Sequence, residues 1–223
     1  GVFITTLDRE GDWRRLHPLF RSALHQQLQE AASSGEIALL YKRAVTWHES
    51  QGLLEEAIGY ALAGGQVAAA AEVVGRHRWQ LLDEMDFHRL ENWLNQFPPP
   101  AANTHIDLLL TKAWLMYMCS ERFELRTCLD LGALLLQKSS LEDQRRRECQ
   151  GEMAALRCVS HLCTADTTAA VQAGQQALEL TPNHRFYVRT VATLHICLAL
   201  HMTGDHAAAD SILHAATVER SIA

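Results

Sequence analysis

The placement of proline constrains this chain more than any other feature of its sequence. Its 223 residues contain five prolines, and three of these are consecutive at Pro98, Pro99 and Pro100. A proline inside a helix costs about 3 kcal/mol, so the long proline-free stretches are compatible with helix throughout. Apolar residues recur there at intervals of three and four, for example at Ile37 and Leu40. The sequence therefore predicts an all-α protein with a break at the three prolines.

The N-terminal segment is the exception to this helical pattern. VFITTL, DREGD and WRRL follow one another as a strand, a turn and a second strand would, and DREGD supplies the aspartate and glycine typical of turns. His17-Pro18 then opens a helix, with proline near a position where helices accept it. We expect a short β-hairpin followed by a helix that ends at Ser33-Ser34-Gly35.

The second half of the chain contains an internal repeat. Three short breaks, 44 and then 39 residues apart, each separate two helical stretches: Ser120-Glu121-Arg122, Thr164-Ala165-Asp166 and Thr203-Gly204-Asp205. Small residues fall in register after the breaks, at Ala133, Ala177 and Ala216. Small residues at fixed places let paired helices approach closely, as in tetratricopeptide-type solenoids, whose repeat is about 34 residues. The sequence therefore predicts three degenerate helical-hairpin repeats.

Composition excludes several classes of protein. The formal net charge of -6 provides no basic excess for nucleic-acid binding by this chain. No apolar run approaches the roughly 20 residues that a membrane span needs, and no signal peptide is visible. The six cysteines form no CxxC pair, so we expect reduced thiols in a cytoplasmic protein.

Three stretches resemble one family of regulators. WRRLHPLFRSAL is similar to the end of the winged-helix module in the large ATP-dependent regulators of the LuxR type, the group that includes the maltose-regulon activator. LYKRAVTWHESQGLLEEAIGYALAGGQVAAAAEVV resembles the helical stretch that follows in those proteins. LLDEMDFHRLENWLNQFPPP resembles the segment that leads into their superhelical sensor, and the order and spacing of the three agree as well.

The resemblance implies that the chain is an internal fragment of such a regulator. It implies the end of a winged helix over residues 1–34, a helical arm over 35–100 and the first tetratricopeptide-like sensor repeats over 101–223. The chain has no GxxxxGK[ST], so ATP would bind elsewhere in the full-length protein. DNA would be bound only through a C-terminal helix-turn-helix that this chain lacks. The implied mechanism is a switch, in which a small-molecule effector binds the solenoid and the protein self-associates and activates transcription.

The concave face of the predicted solenoid is the candidate ligand-binding site, because the first helices of such repeats line the inner surface. The residues that the repeat places there are Thr111, Leu115, Met118, Cys119, Glu152, Ala155, Val159, Leu162, Cys163, Leu194, Leu198, His201 and Met202. This surface is mostly apolar with a few polar side chains, which is the composition of a small-molecule pocket. The same residues would also suit burial against further repeats, and both interpretations stay open.

Two patterns suggest metal binding. His48-Glu49 begins a zinc-protease motif, but the second histidine that the motif needs four residues later is replaced by Gly52. Cys158 with His161 and Cys197 with His201 place four possible ligands on two neighbouring helices. However, Cys158 and Cys197 occupy the same place in successive repeats, with Trp114 there in the first. That place holds a small residue where paired helices pack, so we interpret the cysteines as small buried apolar residues. We expect no metal.

The run Arg145-Arg146-Arg147 lies beside Glu142, Asp143 and Glu148, and we interpret it as a solvated helix face. No motif supports catalysis, so we expect no enzyme activity. The alternative to an effector-sensing region is a tetratricopeptide scaffold that binds a protein or peptide partner. A peptide groove would present Asn, Lys and Arg, which the predicted lining lacks.

Overall fold

The computed structural model of the chain describes residues 3–6 and 14–222, without the side chains of residues 5, 6, 15 and 218–222. The all-α prediction is confirmed, with eleven α-helices and two three-residue strands among these residues. The strands are β1 (Ile4–Thr6) and β2 (Arg14–Leu16), and a short 3-10 helix spans Ala101–Asn103. The helices are α1 (Pro18–Ala31), α2 (Ser34–Ser50), α3 (Leu54–Ala63), α4 (Val67–Asp83), α5 (Phe87–Leu94), α6 (Ile106–Met118), α7 (Arg122–Lys138), α8 (Asp143–Cys163), α9 (Thr167–Leu180), α10 (Phe186–Thr203) and α11 (His206–Ile222).

The two strands pair antiparallel, with Ile4 opposite Leu16. The predicted turn DREGD lies outside the described residues, so the hairpin as a whole stays a prediction. The Phe3 and Phe20 rings stack with their centroids 4.9 Å apart. This contact joins the strand pair to the first turn of α1.

The boundary between α1 and α2 differs from the predicted helix end. Ser33 does not close α1 but caps α2: its hydroxyl accepts from the Glu36 N–H, and the Glu36 carboxylate accepts from the Ser33 N–H at 2.9 Å. This reciprocal capping box satisfies two backbone donors that a helix start otherwise leaves unpaired. Ser34 and Gly35 therefore belong to the first turn of α2.

Residues 67–223 form the larger of two compact units, and the smaller comprises residues 1–66. In the larger unit α6 packs on α7, α8 on α9 and α10 on α11, and each pair contacts the next. The first helices of the pairs are also neighbours, because α6 contacts α8 and α8 contacts α10. The unit boundary lies inside the arm predicted over 35–100, since α4 and α5 pack on α6. The division into three domains stays a prediction.

Six of the turns between the described helices share one design. Each of these six has a residue of positive φ just after a helix, namely Gly52, Gly65, Met85, Ser120, Ala165 and Gly204. The following N–H then donates to a carbonyl five residues earlier, as Asp166 does to His161 at 3.0 Å. This is the Schellman arrangement, which pairs carbonyls that a helix end would leave free. The three breaks predicted in the second half coincide with turns of this kind.

The arginine run is not a solvated face, and that interpretation is wrong for two of its three residues. Arg145 pairs with Asp107 and Glu148, and Arg146 donates to the carbonyls of Leu136 and Ser139 at the end of α7. A cation at a helix C-terminus satisfies carbonyls that have no partner within the helix. Arg147 alone is exposed. Among the described residues, no helix combines the length and the apolar character that crossing a membrane requires.

Candidate functional site

The residues predicted to line the concave face fall into two groups by burial. Five of them lie in the core: Thr111, Leu115, Glu152, Ala155 and Val159. Leu162 is half-buried, and the rest are exposed: Met118, Cys119, Cys163, Leu194, Leu198, His201 and Met202. All belong to α6, α8 and α10 except Cys119, which caps the end of α6. Most of the exposed members lie in the C-terminal halves of these helices or just after them, and Leu194 lies midway along α10.

Glu152 is the centre of a buried charge cluster. Its carboxylate accepts two hydrogen bonds from the Arg78 guanidinium, at 2.7 and 2.5 Å, and a third from Trp114 Nε1 at 3.0 Å. Arg78 and Glu152 are both fully buried. Burial disfavours the charged guanidinium, but the Glu152 carboxylate, with Asp107, outweighs this and raises the pKa of Arg78. The Arg78 guanidinium therefore stays charged inside the protein.

Four further charged residues complete this cluster. Arg145 pairs with Asp107 and with Glu148, and Arg185 lies 3.8 Å from Glu148. Asp107 also lies 3.8 Å from Arg78. We call Arg78, Asp107, Arg145, Glu148, Glu152 and Arg185 the charge cluster. Its three arginines balance its three carboxylates, so it offers no net charge to a ligand.

An aromatic cluster connects α6 to α10 beside these charges. The Tyr187 ring lies 5.3 Å from Trp114 and 5.8 Å from Phe87, and Tyr117 lies 5.9 Å from His195. The Tyr187 hydroxyl donates to the sulfur of Met118, one of the predicted residues, at 3.3 Å. Burial raises the pKa of Tyr187 to about 12, so the phenol stays protonated. We call Phe87, Trp114, Tyr117, Tyr187 and His195 the aromatic cluster.

A cavity of about 580 Å³ lies between α10 and α11. Of the predicted residues, it brings together Leu194, Leu198 and His201. The other side is formed by residues that the sequence reasoning did not select, chiefly Ala209, Ile212, Leu213 and Ala216 from α11. Ala216 had been noticed only as a small residue in register. Small residues that recur with the repeat indicate where helices pack. Their recurrence does not distinguish a residue in a cavity wall from one in a helix contact.

Of the two cysteines at the repeated position, Cys158 clearly has the predicted packing role. Cys158 is buried in a small core with Ala170, Ile196 and Ala199. Burial raises the pKa of the Cys158 thiol to about 12. The Cys197 thiol is half-buried and approaches the Ala209 carbonyl at 3.5 Å. Within the described residues no three His, Cys, Asp or Glu side chains are arranged to hold a metal ion.

His48 of the truncated zinc-protease motif also has a structural environment. Its Nδ1 is 2.7 Å from the Ala44 carbonyl one turn earlier, and its ring lies 4.6 Å from Tyr60. α2 ends at Ser50, and Gly52 adopts a φ of 72° in the turn that follows. The position where a second ligand would have to lie is thus outside the helix.

Comparison with known proteins provides an independent line of evidence. Residues 1–36 match the family model of the MalT winged helix domain. Over 205 residues, or 92% of its length, the chain is 32% identical to the HTH-type transcriptional regulator MalT of Cronobacter sakazakii (strain ATCC BAA-894). The resemblance to MalT-like regulators is therefore confirmed. The chain spans 22% of the length of that MalT protein, and no solved structure shows significant similarity to it.

The match to MalT extends beyond the three sequence stretches that resemble this family of regulators. Those stretches end at Pro100, whereas an alignment over 92% of the chain includes most of α6 to α11. The helical pairs and the two clusters between them thus belong to the part of the chain that is similar to MalT.

Proposed function

We propose that this chain is the arm and effector-sensing region of a bacterial, cytoplasmic, ATP-dependent transcriptional activator of the LuxR type. In this proposal α6 to α11 are the first repeats of a tetratricopeptide-like sensor that binds a small, largely apolar inducer. ATP binding, DNA binding and self-association use other parts of a longer protein, and this chain catalyses no reaction. The similarity to an HTH-type transcriptional regulator over 92% of the chain supports the regulatory role.

The observation that carries the sensing role is a row of exposed apolar side chains on α10. Leu194, Leu198 and Met202 are spaced four residues apart, which places them on one face of the helix. Their exposed fractions are 52%, 45% and 58%. Large apolar side chains that are exposed in a contiguous row are typical of a surface that binds a ligand or partner. These three residues were selected from the repeat pattern alone.

The adjoining cavity has the size and chemistry of a small-molecule site. Its volume of about 580 Å³ lies within the range of roughly 300–1,000 Å³ found for ligand pockets. Leu194 and Leu198 contribute apolar surface, and His201 and Asp210 contribute polar groups that can orient a ligand.

A thermal-shift screen of metabolites and apolar small molecules tests this proposal, with the chain alone and with a longer protein in the presence of ATP. A ligand at one hundred times its Kd stabilises the folded state by about 2.7 kcal/mol, which is a measurable rise in Tm. We expect at least one compound to do this. If no compound stabilises either protein, the sensing role is wrong.

A matched pair of variants then locates the site. Leu198→Asp places a charge in the cavity wall. We expect this variant to lower the affinity for the stabilising compound about ten-fold or more, since burying one leucine side chain contributes about 1.5–3 kcal/mol. Leu134→Asp is the control, because Leu134 is also an exposed leucine, on α7. Equal loss of ligand binding in both variants would contradict the assignment of the site to this cavity.

Two polar residues in the cavity lining favour a second candidate function, the binding of a protein or peptide partner. Asn183 and Arg189, residue types that grip peptide backbones, line the same cavity. The Arg189 guanidinium, however, already donates to the carbonyls of Leu178 and Thr181, at 2.8 and 3.0 Å. A peptide would have to compete with these bonds, which favours the small effector. Specific capture of one protein partner that Leu198→Asp abolishes and Leu134→Asp preserves would reverse this order.

A further inference from the structure

The cavity between α10 and α11 is elongated, because its lining follows both helices. On α10 the lining extends from Phe186 to His201, which corresponds to about 22 Å of helix at about 1.5 Å per residue. The short turn after Thr203 reverses the chain, so Asp210, near the start of α11, lies at the same end of the cavity as His201. Thr217 lies toward the other end. The cavity therefore has one end beside this turn and another beside the start of α10.

The two ends differ in the charge that they present to a ligand. Among the described residues of the lining, two carry a formal charge, Arg189 near the start of α10 and Asp210 near the turn. The Arg189 guanidinium already donates to the carbonyls of Leu178 and Thr181 at the end of α9. Asp210 is exposed, and its carboxylate makes no hydrogen bond or ion pair with any described residue. The charge available to a ligand is therefore negative.

The Asp210 carboxylate lies beside the apolar part of the cavity. Burial raises the pKa of the Cys197 thiol and the charge of Asp210 raises it further, so the two groups are near each other. Cys197 shares one face of α10 with Leu194 and Leu198, and Ile212 contributes to the opposite wall from α11. A carboxylate at one end of an apolar channel is complementary to a molecule with a cationic head and an apolar tail.

The surroundings of Asp210 leave its charge uncompensated. The ionisable groups one turn away on α11 are histidines, His206 and His214, and His201 faces the same end from α10 with its ring 4.9 Å from that of His206. Imidazole side chains are uncharged at pH 8, so they neither neutralise the carboxylate nor repel an ammonium group. The net charge of -6 on the chain adds a general attraction for cations.

We propose that the effector of this cavity is a cationic amphiphile, with an ammonium or similar group that pairs with Asp210 and an apolar part that covers Leu194 and Leu198. The inference rests on the proposed effector site and adds the charge of its ligand. An anionic molecule is disfavoured, because it would meet the Asp210 carboxylate in a chain that is already acidic. A neutral apolar molecule contacts the same walls but leaves the carboxylate without a partner.

Three probes of one chain length test the charge preference: n-octylamine, 1-octanol and octanoate. Isothermal titration calorimetry of the complete chain at pH 8 measures their affinities, because at that pH the amine is protonated and octanoate is ionised. We expect n-octylamine to bind at least about ten-fold more tightly than octanoate, since only the ammonium gains a charge-assisted hydrogen bond to Asp210. The affinity of 1-octanol should lie between the two.

A pair of charge-removing variants assigns the preference to one residue. Asp210→Asn keeps the size of the side chain, and we expect it to lower the affinity for n-octylamine about five- to thirty-fold. The affinity for 1-octanol should change less than about two-fold, which also shows that the apolar walls are intact. Asp130→Asn is the control, because Asp130 is exposed on α7, outside the cavity, and its loss changes the net charge equally. It should leave all three affinities unchanged.

The outcomes separate this inference from the effector site on which it rests. Equal affinities for n-octylamine and 1-octanol, tightest binding of octanoate, or equal effects of Asp210→Asn and Asp130→Asn would each overturn the charge preference. The cavity would then remain a site for apolar ligands. If none of the three probes binds, the inference fails together with the cavity as a site for apolar ligands.

Discussion

At the scale of single residues, four of the six thiols of this chain fall into two chemical groups. Cys149 and Cys158 are buried, and burial raises the pKa of each to about 12. Cys119 and Cys163 are exposed, at the ends of α6 and α8. The thiolate is the reactive form, so exposure and pKa together decide which thiols react.

We predict that a thiol reagent such as iodoacetamide at pH 8 modifies Cys119 and Cys163 in the folded chain and leaves Cys149 and Cys158 intact. Because the pKa of the buried thiols is raised, they stay protonated at pH 8 and would become reactive only toward pH 12 or on unfolding. Peptide mass spectrometry after timed labelling checks this, with labelling in denaturant as the control. Rapid modification of Cys158 under native conditions would contradict its place in the core.

Much of this residue-level detail is beyond the reach of sequence patterns. Repeat register correctly suggested a buried, small-residue role for Cys158, because packing positions recur with the repeat. It did not indicate that Arg78 and Glu152 meet, since they are 74 residues apart and on different helices. The role of Arg145 was misjudged for the same reason: its neighbours in the sequence are acidic, but its partner Asp107 is on α6. Local charge patterns identify only local partners.

At the scale of elements, the helices and most of their ends follow from local chemistry. The breaks of the second half were visible because turns concentrate small and polar residues. The helix end at Ser33 was misplaced because a serine can close one helix or cap the next, and only the pairing with Glu36 decides between them. Positive φ was unpredictable at Met85, Ser120 and Ala165, where the sequence has no glycine. Their turns are determined by the flanking helices.

The turn between α8 and α9 therefore contains removable strain. Ala165 has a φ of 58°, where a side chain is disfavoured. We predict that Ala165→Gly raises the free energy of unfolding by about 0.5–1 kcal/mol. Gly204 has a φ of 81° in the equivalent turn between α10 and α11, so Gly204→Ala should lower the free energy of unfolding by about 1 kcal/mol.

Urea unfolding followed by circular dichroism measures both effects, and the two variants serve as controls for each other. If Ala165→Gly destabilises the chain, the left-handed conformation at this turn is not the source of strain.

At the scale of the whole chain, the family and the all-α class could be predicted from the sequence because they depend on patterns that extend over many residues. The repeat register selected Leu194, Leu198 and Met202 as one face of α10, and ligand binding by that face stays a prediction. The cavity was not predicted, because one of its walls comes from α11 and its existence depends on how two helices diverge. The central claim, that this region senses a small effector at the exposed row of α10 and in the adjoining cavity, depends on where a ligand binds.

Methyl NMR of the methionines, with the compound that stabilises the chain most in the thermal screen, tests this claim most directly. Met202 is exposed on α10, at the end of the row formed with Leu194 and Leu198, and should shift on binding. Two methionines are internal controls and should not shift, namely Met85, which is 65% exposed but lies between α4 and α5, and the buried Met153. A shift at Met202 with none at Met85 or Met153 is the predicted result. A shift at Met85 with none at Met202 would contradict the account.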